Sequence, residues 1–386
     1  MKLAERAQKT PEYYFSKKLK EVASLREQGR DIINLGIGSP DHPTSEKVIQ
    51  GLIDSVKSPS SHGYAPYGGL PSLKSAIKNW HAKHFGTELN EQTQILPLAG
   101  SKEGIVLLSL AFLNPGDEVL VPDPGYPAYG SIANMIGAKV VKYDLTSDNH
   151  WLPDFSQLEN LVGENTKLMW INYPHMPTGT DAGEETFKEL LKFAKKHNIF
   201  LCNDNPYSLV GNSKKHVSIL LSDTDQSNCA ELNSLSKCLN MAGWRVGMLL
   251  GSPELIEAVT RIKTNMDSGM FIPIQEGAIE ALKLDDIWYE ENNKLYATRR
   301  DLAFKICDLL DLSYEDDQVG MFVWAKVKND EMEVANIVDD LLYKAGVFLT
   351  PGFIFGKNGE RHIRISLCAS EEKLIEAYDR IKEVVK

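Results

Sequence analysis

The sequence has few cysteines and no long apolar run. Its five cysteines are odd in number and scattered, without the spacing of a zinc site or a disulfide framework. We therefore expect free thiols, no metal and a reducing compartment, the cytoplasm. The longest apolar stretch, near residues 105–113, is too short to cross a bilayer, and the N-terminal segment lacks the apolar core of a signal peptide.

Positive charge is scarcer than negative charge. The 386 residues include 42 Lys and Arg against 53 Asp and Glu, which gives a formal net charge of −11 at pH 7. This balance argues against nucleic acid or an anionic membrane surface as a partner. With 42% hydrophobic and 25% charged residues, the composition is that of an ordinary globular protein, and the length suits two or three domains.

Short β-rich runs alternate with amphipathic helical stretches between about residues 96 and 250. Residues 184–197 predict a helix, because their apolar positions repeat at helical spacing. Strands are predicted at residues 118–122, 139–143, 167–172 and 199–203. This alternation predicts a mostly parallel sheet covered by helices, in which ligands bind beyond the carboxyl ends of the strands.

Beyond about residue 283 the pattern changes. A long charged helical stretch at residues 288–310 is followed by two β-rich runs, at 321–327 and 363–367, and by a final helix from residue 371. We expect a smaller α+β domain with its own sheet. The predicted division is residues 1–45 as N-terminal arm and part of the small domain, 46–285 as the large domain, and 286–386 as the C-terminal small domain.

The segment SLSKCLNMAGWRVG, residues 234–247, carries the strongest chemical signal. The hydroxyls of Ser234 and Ser236 and the guanidinium of Arg245 are phosphate ligands, and the amine of Lys237 can form a Schiff base with a carbonyl. Pyridoxal 5′-phosphate (PLP) combines an aldehyde with a phosphate and is recruited through a lysine. Taken alone, a lysine such as Lys237 is more often a solvated surface residue, and it is the neighbouring residues that favour the cofactor role.

Polar residues near other predicted strand ends suit the same cofactor. Asp204 could hold the pyridine nitrogen protonated, and Tyr207 could donate to the ring hydroxyl. The small-residue turn at 99–104 precedes a helix and could bind the phosphate, while Tyr126 could lie against the ring. Each also has an ordinary interpretation, such as a cap for Asp204 or a surface turn around Tyr126.

Six segments occur in the order typical of one family: YAPYGGLP (64–71), DPGYP (123–127), NYPHMPTG (172–179), NDNPY (203–207), SLSK (234–237) and RIS (364–366). Through them the chain resembles, over essentially its whole length, the class I and II aminotransferases, PLP enzymes of fold type I. The resemblance implies an α/β fold. Its large domain would have a mostly parallel, seven-stranded-type sheet covered by helices, beside a smaller α+β domain.

The resemblance also implies cofactor roles. Lys237 would form the Schiff base and move the proton between substrate Cα and cofactor C4′. Asp204 would pair with the pyridinium and Tyr207 with the ring hydroxyl, and Tyr126 would stack on the ring. The phosphate would be held by Ser101, the backbone N–H of Lys102, Ser234, Ser236 and Arg245.

Substrate and partner roles follow from the same resemblance. Arg364 would bind the substrate α-carboxylate in a bidentate fork, assisted by the backbone of Gly38. Tyr13 would line the substrate entrance. Tyr64 would reach the phosphate of a neighbouring subunit, which implies a homodimer with shared active sites.

The implied activity is ping-pong transfer of an amino group between an L-amino acid and a 2-oxo acid, through the Schiff base of Lys237. A carbon–sulfur β-lyase is an alternative, because reaction type depends on which bond to Cα lies perpendicular to the ring. A non-catalytic PLP-binding regulator is disfavoured by the acidic composition and by the lack of room for an N-terminal DNA-binding segment. The donor stays open, since residues 263–269 resemble members acting on diaminopimelate, alanine or aspartate-type substrates.

Met176 departs from the family pattern. The family usually has an asparagine at this position, and that asparagine donates to the ring hydroxyl. A thioether cannot donate a hydrogen bond, and Asn172 matches a different position of the motif. We hypothesise that the cofactor phenolate is less stabilised here, so that the Schiff base holds its proton to a higher pH.

Overall fold

The computed structural model describes residues 1–10, 12, 14–223 and 227–385. Its helices are α1 Glu5–Lys9, α2 Tyr14–Glu27, α3 Glu46–Val56, α4 Pro71–Phe85, α5 Ser101–Phe112, α6 Ala128–Ile136, α7 Phe155–Leu161, α8 Glu184–His197, α9 Leu235–Cys238, α10 Pro253–Lys263, α11 Ile272–Leu282, α12 Asp286–Leu309, α13 Val334–Asp340 and α14 Glu371–Val385. Its strands are β1 Ile33–Asn34, β2 Ile95–Leu98, β3 Glu118–Asp123, β4 Lys139–Asp144, β5 Thr166–Ile171, β6 Phe200–Asn205, β7 Cys229–Ser234, β8 Gly247–Gly251, β9 Leu312–Tyr314, β10 Phe322–Val327, β11 Val347–Phe348, β12 Thr350–Pro351 and β13 His362–Ser366.

Seven strands form the large sheet, in the order β2-β8-β7-β6-β5-β3-β4. Strand β8 runs antiparallel to its neighbours β2 and β7, and the other pairs are parallel. The prediction of a mostly parallel sheet is therefore confirmed. Because β3, β5, β6 and β7 share one direction, their carboxyl ends lie along the same edge of the sheet.

Apolar side chains cover both faces of this sheet. Along β5, Leu168 and Trp170 belong to one buried cluster, whereas Met169 and Ile171 belong to the other. Successive side chains of a strand point to opposite faces, so a strand buried on both faces is apolar at consecutive positions. Helix α5 approaches closely, because a Cβ on Gly104 would lie 2.4 Å from a methyl carbon of Leu232.

The C-terminal part has its own antiparallel sheet, in the order β12-β13-β10-β9. This confirms the expected second sheet. Strand β1 pairs in parallel with β11, which joins the N-terminal segment to this part of the molecule. The domain boundaries at residues 45 and 285 stay predictions.

No helix within the described residues is long and apolar enough to cross a membrane. The five cysteines are free thiols; Cys368 is partly buried and the other four are buried.

Candidate active site

A cavity of about 200 Å³ lies at the carboxyl-end edge of the large sheet. The cofactor residues predicted from the sequence line this one cavity, with the exception of Tyr64. Its lining comprises Ser101, Lys102, Tyr126, Tyr129, Asn172, Met176, Asp204, Pro206, Tyr207, Ser234, Ser236, Lys237, Ala242 and Arg245.

Lys237 reaches the cavity from the short helix that follows β7. Ser234 caps this helix, since its hydroxyl accepts a hydrogen bond from the Ser236 backbone N–H at 3.2 Å. The Lys237 ammonium donates to the backbone carbonyl of Gly38. Burial lowers the pKa of Lys237, and the guanidinium of Arg364 acts in the same direction. A lowered pKa makes the neutral amine, which is the nucleophilic form, more accessible.

Asp204 lies near the end of β6, and only one of its two carboxylate oxygens has a hydrogen-bond partner in the described part of the chain. Its Oδ2 accepts a hydrogen bond from the Tyr129 hydroxyl at 2.9 Å, while Oδ1 is buried without a hydrogen-bond partner among the described residues. Burial raises the pKa of Asp204 to about 6, against the opposing effect of the Tyr129 hydrogen bond. A buried acceptor without a donor is costly, so this oxygen suits a ligand that brings a donor.

Tyr129 was not predicted as a site residue. Its ring stacks on Trp170, with centroids 5.0 Å apart and planes 5° from parallel, which orients the hydroxyl. The only signal in the sequence is its place three residues after Tyr126, at the start of α6.

Hydroxyl and guanidinium groups converge at the N-terminus of α5. Ser101 is the first residue of that helix, and the Arg245 Nη1 atom lies 3.5 Å from the Ser236 hydroxyl. Gly100 has a φ of 86°, and a Cβ there would lie 2.1 Å from Arg245 Nη2, so glycine is what allows the guanidinium to approach the turn. A helix N-terminus with such groups is suited to an anion.

Arg364 is buried on β13 inside a cage of aromatic rings. Its Nη2 donates to the backbone carbonyl of Gly36 at 2.7 Å. The guanidinium carbon lies 3.9 Å from the ring centre of Phe322, 4.7 Å from that of Phe355 and 5.5 Å from that of Phe15. Guanidinium–aromatic contacts of this kind hold the cation without neutralising it. The sequence patterns did not indicate these three rings.

Met176 contacts the same guanidinium from the cavity side. Its thioether sulfur accepts a hydrogen bond from Arg364 Nη1 at 3.4 Å. Asn172 is engaged within the protein, because its amide donates to the Asp204 carbonyl and its Oδ1 accepts from the Met176 N–H at 2.8 Å.

Four predicted residues are not among those that line this cavity. Arg364 and Gly38 contact residues that do, namely Met176 and Lys237. Tyr64 is 90% exposed and does not line it. Tyr13 lies outside the described residues.

The residues present fit PLP. An amine, an unsatisfied carboxylate oxygen and an anion-binding helix terminus face one small cavity, at Lys237, Asp204 and the Ser101 turn respectively. They match an aldehyde, a protonated ring nitrogen and a phosphate.

Known proteins resemble this chain over nearly its whole length. A sequence model of the family described as Aminotransferase class I and II matches residues 30–381. An LL-diaminopimelate aminotransferase of Dehalococcoides mccartyi is 39% identical over 375 residues, covering 97% of this chain and 96% of its own. One from Halothermothrix orenii is 38% identical over 383 residues, covering 99% and 98%.

Solved structures show the same architecture. Apo-BacF from Bacillus subtilis superimposes with a TM-score of 0.95 at 36% identity, covering 100% of this chain and 99% of its own. Aspartate aminotransferase from Thermus thermophilus with maleate gives a TM-score of 0.92 at 26% identity and covers 100% of both chains. The chain therefore belongs to the class I and II aminotransferase family, and it is a PLP-dependent aminotransferase.

Proposed function

We propose that this aminotransferase takes the amino group of LL-diaminopimelate and transfers it to a 2-oxo acid, in two half-reactions at the cavity around Lys237. The observation that carries the site assignment is the convergence of Lys237, Asp204 and Arg364 on this cavity or its wall. The choice of donor rests on relatives that are 36–39% identical over nearly the whole chain and are named for that reaction.

When bound, PLP supplies an electron sink for the bonds at the substrate Cα. Lys237 would hold the cofactor through its amine and would carry the proton between substrate Cα and cofactor C4′. Its burial and its lowered pKa favour the neutral amine that both tasks require.

Asp204 would accept a hydrogen bond from the protonated ring nitrogen through Oδ1, which is buried without a partner among the described residues. Tyr129 occupies Oδ2 and so directs the other oxygen into the cavity. Tyr207 would donate to the ring hydroxyl, and Tyr126 would lie against the ring. The Asp204 carboxylate would then be paired with a cation, which would remove the cost of an unsatisfied buried charge.

The phosphate would be held at the α5 terminus by Ser101, the backbone N–H of Lys102, Ser234, Ser236 and Arg245. The Gly100 turn leaves room for the guanidinium beside the helix N-terminus. Two sources of positive potential, the guanidinium and the helix dipole, act on the same anion.

Arg364 binds the substrate α-carboxylate, and the backbone of Gly38 assists. The rings of Phe322, Phe355 and Phe15 hold the guanidinium and exclude water from it without competing for its charge. Charge-assisted bidentate pairing then fixes the orientation of the substrate Cα.

A second cavity of about 450 Å³ adjoins the first at Lys102 and receives the substrate side chain. Its walls include Phe15, Phe353 and Ile354. Lys102 and Glu12 also line it, and the Glu12 carboxylate pairs with Lys20 at 2.6 Å. LL-diaminopimelate has an alkyl chain and, at its far end, an ammonium and a carboxylate. This pairing of apolar walls with two opposite charges supports it as the donor.

The functional unit in this proposal is a homodimer, with Tyr64 reaching the partner's phosphate. Tyr64 is 90% exposed, and Tyr67, Met266 and Phe271 also expose large apolar side chains. Gly269 packs on the Ala65 carbonyl, which brings the two exposed segments together. Clustered exposed apolar groups are typical of a subunit interface. A cytoplasmic location stays a prediction.

Half-reaction spectroscopy tests the proposal. LL-diaminopimelate added to the PLP-loaded protein should convert the cofactor to its amino form, and 2-oxoglutarate or pyruvate should restore the original spectrum. Conversion by alanine or aspartate, but not by LL-diaminopimelate, would overturn the proposed donor. Release of pyruvate from cystathionine without any 2-oxo acid, and no conversion by amino donors, would favour a β-lyase instead.

A further inference from the structure

We propose that Asp123 is a positioning residue for substrate carboxylate binding. Its buried carboxylate fastens the turn at residues 356–358 to the large sheet, and that turn fixes the ring of Phe355 against Arg364. The proposal rests on the role of Arg364 in the proposed function.

Asp123 is the last residue of β3 and is 3% exposed. Its Oδ2 accepts a hydrogen bond from the Lys357 backbone N–H at 3.1 Å, and its Oδ1 accepts one from the Asn358 backbone N–H at 3.0 Å. The ammonium of Lys142 lies 2.9 Å from Oδ2. A buried carboxylate persists only when it is paired and hydrogen-bonded, so the turn and the carboxylate stabilise each other.

Gly356 allows the turn to close on this carboxylate. Its φ is 144°, in the region that favours glycine, and a Cβ there would lie 2.0 Å from Asp123 Oδ1. A second contact holds the same segment, because the Gly125 N–H donates to the Phe355 carbonyl at 2.9 Å. Residues 123–125 therefore bind residues 355–358 at three backbone groups.

Phe355 directly precedes this turn and transmits its position to Arg364. Phe355 is 5% exposed, and its ring centre lies 5.9 Å from that of Trp324. Its centre is 4.7 Å from the Arg364 guanidinium carbon. Because guanidinium–ring attraction depends on distance and on placement over the face, a displaced ring changes the direction of the fork that receives the carboxylate.

The Asp123 segment also adjoins the cofactor cavity, since Tyr126 lines that cavity three residues later. The carboxylate thus sets the spacing between a wall of the cofactor cavity and the cage of Arg364. A purely stabilising role would affect both sites alike. A positioning role affects carboxylate affinity more than cofactor affinity or turnover.

The test is Asp123→Asn in the PLP-loaded enzyme. The amide keeps the volume of the side chain. Its NH₂ group takes the place of one of the two oxygens that accept from the Lys357 and Asn358 N–H groups, and an NH₂ group cannot accept these bonds. We expect KM for the amino donor and Kd for maleate, followed by cofactor absorbance, to rise about tenfold, the size of a lost charged hydrogen bond. Cofactor affinity and kcat should change by no more than about threefold, which is less than the loss of one charged hydrogen bond would cause.

Asp144→Asn is the matched control. Asp144 is exposed and lies opposite Asp123 in the register of β3 and β4. Its side chain contacts the turn through the Asn358 side chain, which donates to it at 2.7 Å, and not through a backbone N–H. The Asp144→Asn substitution removes a neighbouring charge but leaves both contacts of Asp123 with the turn backbone intact. KM for the amino donor and Kd for maleate should therefore stay at the parent values.

Gly356→Ala is the independent second variant, because its methyl group must displace the turn from Asp123. We expect the same rise in KM and Kd, and the double variant should be no worse than the worse single one, since both act on one contact.

Unchanged KM and maleate affinity in a folded Asp123→Asn enzyme would overturn the proposal, and so would a loss confined to kcat or cofactor affinity. If that variant does not fold, Gly356→Ala decides by the same readouts, and failure of both to fold would assign Asp123 a structural role only. If the parent converts no amino donor, the proposed function fails. Maleate affinity then still tests Asp123.

Discussion

Replacing Met176 by asparagine should lower the pH at which the bound cofactor loses the proton of its linkage to Lys237. Met176 lines the cofactor cavity and its sulfur contacts Arg364. A thioether donates no hydrogen bond, whereas an asparagine amide donates two. Asn172 is engaged with the Asp204 carbonyl through its amide nitrogen and with the Met176 N–H through Oδ1.

The size of the effect follows from one charge-assisted hydrogen bond. An amide N–H directed at the ring oxygen stabilises the phenolate that remains after the proton leaves, by about 1.5–3 kcal/mol. One pKa unit corresponds to about 1.4 kcal/mol, so the pKa should fall by about one to two units in Met176→Asn. The parent protein should therefore hold the proton to the higher pH.

The assay is a spectrophotometric pH titration of the PLP-loaded protein. Met176→Leu is the control, because leucine has a similar volume and also lacks a donor, and its pKa should match that of the parent. An equal or lower pKa in the parent than in Met176→Asn would refute the reasoning. A shift of the same size in Met176→Leu would assign the effect to the lost contact between sulfur and Arg364 instead.

Three further changes test the remaining parts of the site. Lys237→Ala should lower kcat by at least about a hundredfold, because no base remains to move the Cα proton, and rapid-mixing absorbance would check this. Arg364→Lys should reduce kcat/KM about tenfold to a hundredfold through KM, since an ammonium cannot bind a carboxylate as a planar fork; steady-state kinetics with two donors would check it. Burial raises the pKa of Asp204 to about 6, above its ordinary value of 3.8. The folded, cofactor-free protein therefore holds this proton more tightly than the unfolded chain. The resulting stabilisation is fully present below pH 3.8 and is lost as the pH rises through 6. The free energy of unfolding should fall by about 3 kcal/mol over this range. Asp204→Asn should abolish that pH dependence, as measured by denaturant unfolding between about pH 4 and 7.

Much of the fold was predictable from local patterns. Alternating β-rich and helical runs indicated a parallel sheet, and β3, β4, β5, β6 and α8 lie within a few residues of the predicted ranges. The carboxyl ends of parallel strands meet at one edge, so polar residues following separate strands were expected to converge. Asp204 follows one of these predicted strands, whereas Ser234 and Lys237 were predicted from the chemistry of residues 234–247; all three line the cavity.

The sequence by itself thus determined the sheet type, the family and the residues that follow the strand ends. Only the tertiary structure decided what surrounds them. The hydroxyl of Tyr129 on Asp204, the ring of Phe15 beside Arg364 and the contact of Asp123 with residues 357–358 join segments 75 to 349 residues apart. Hydrophobic periodicity reports which face of one element is buried, but not which distant element covers it, because that choice depends on packing of the whole chain.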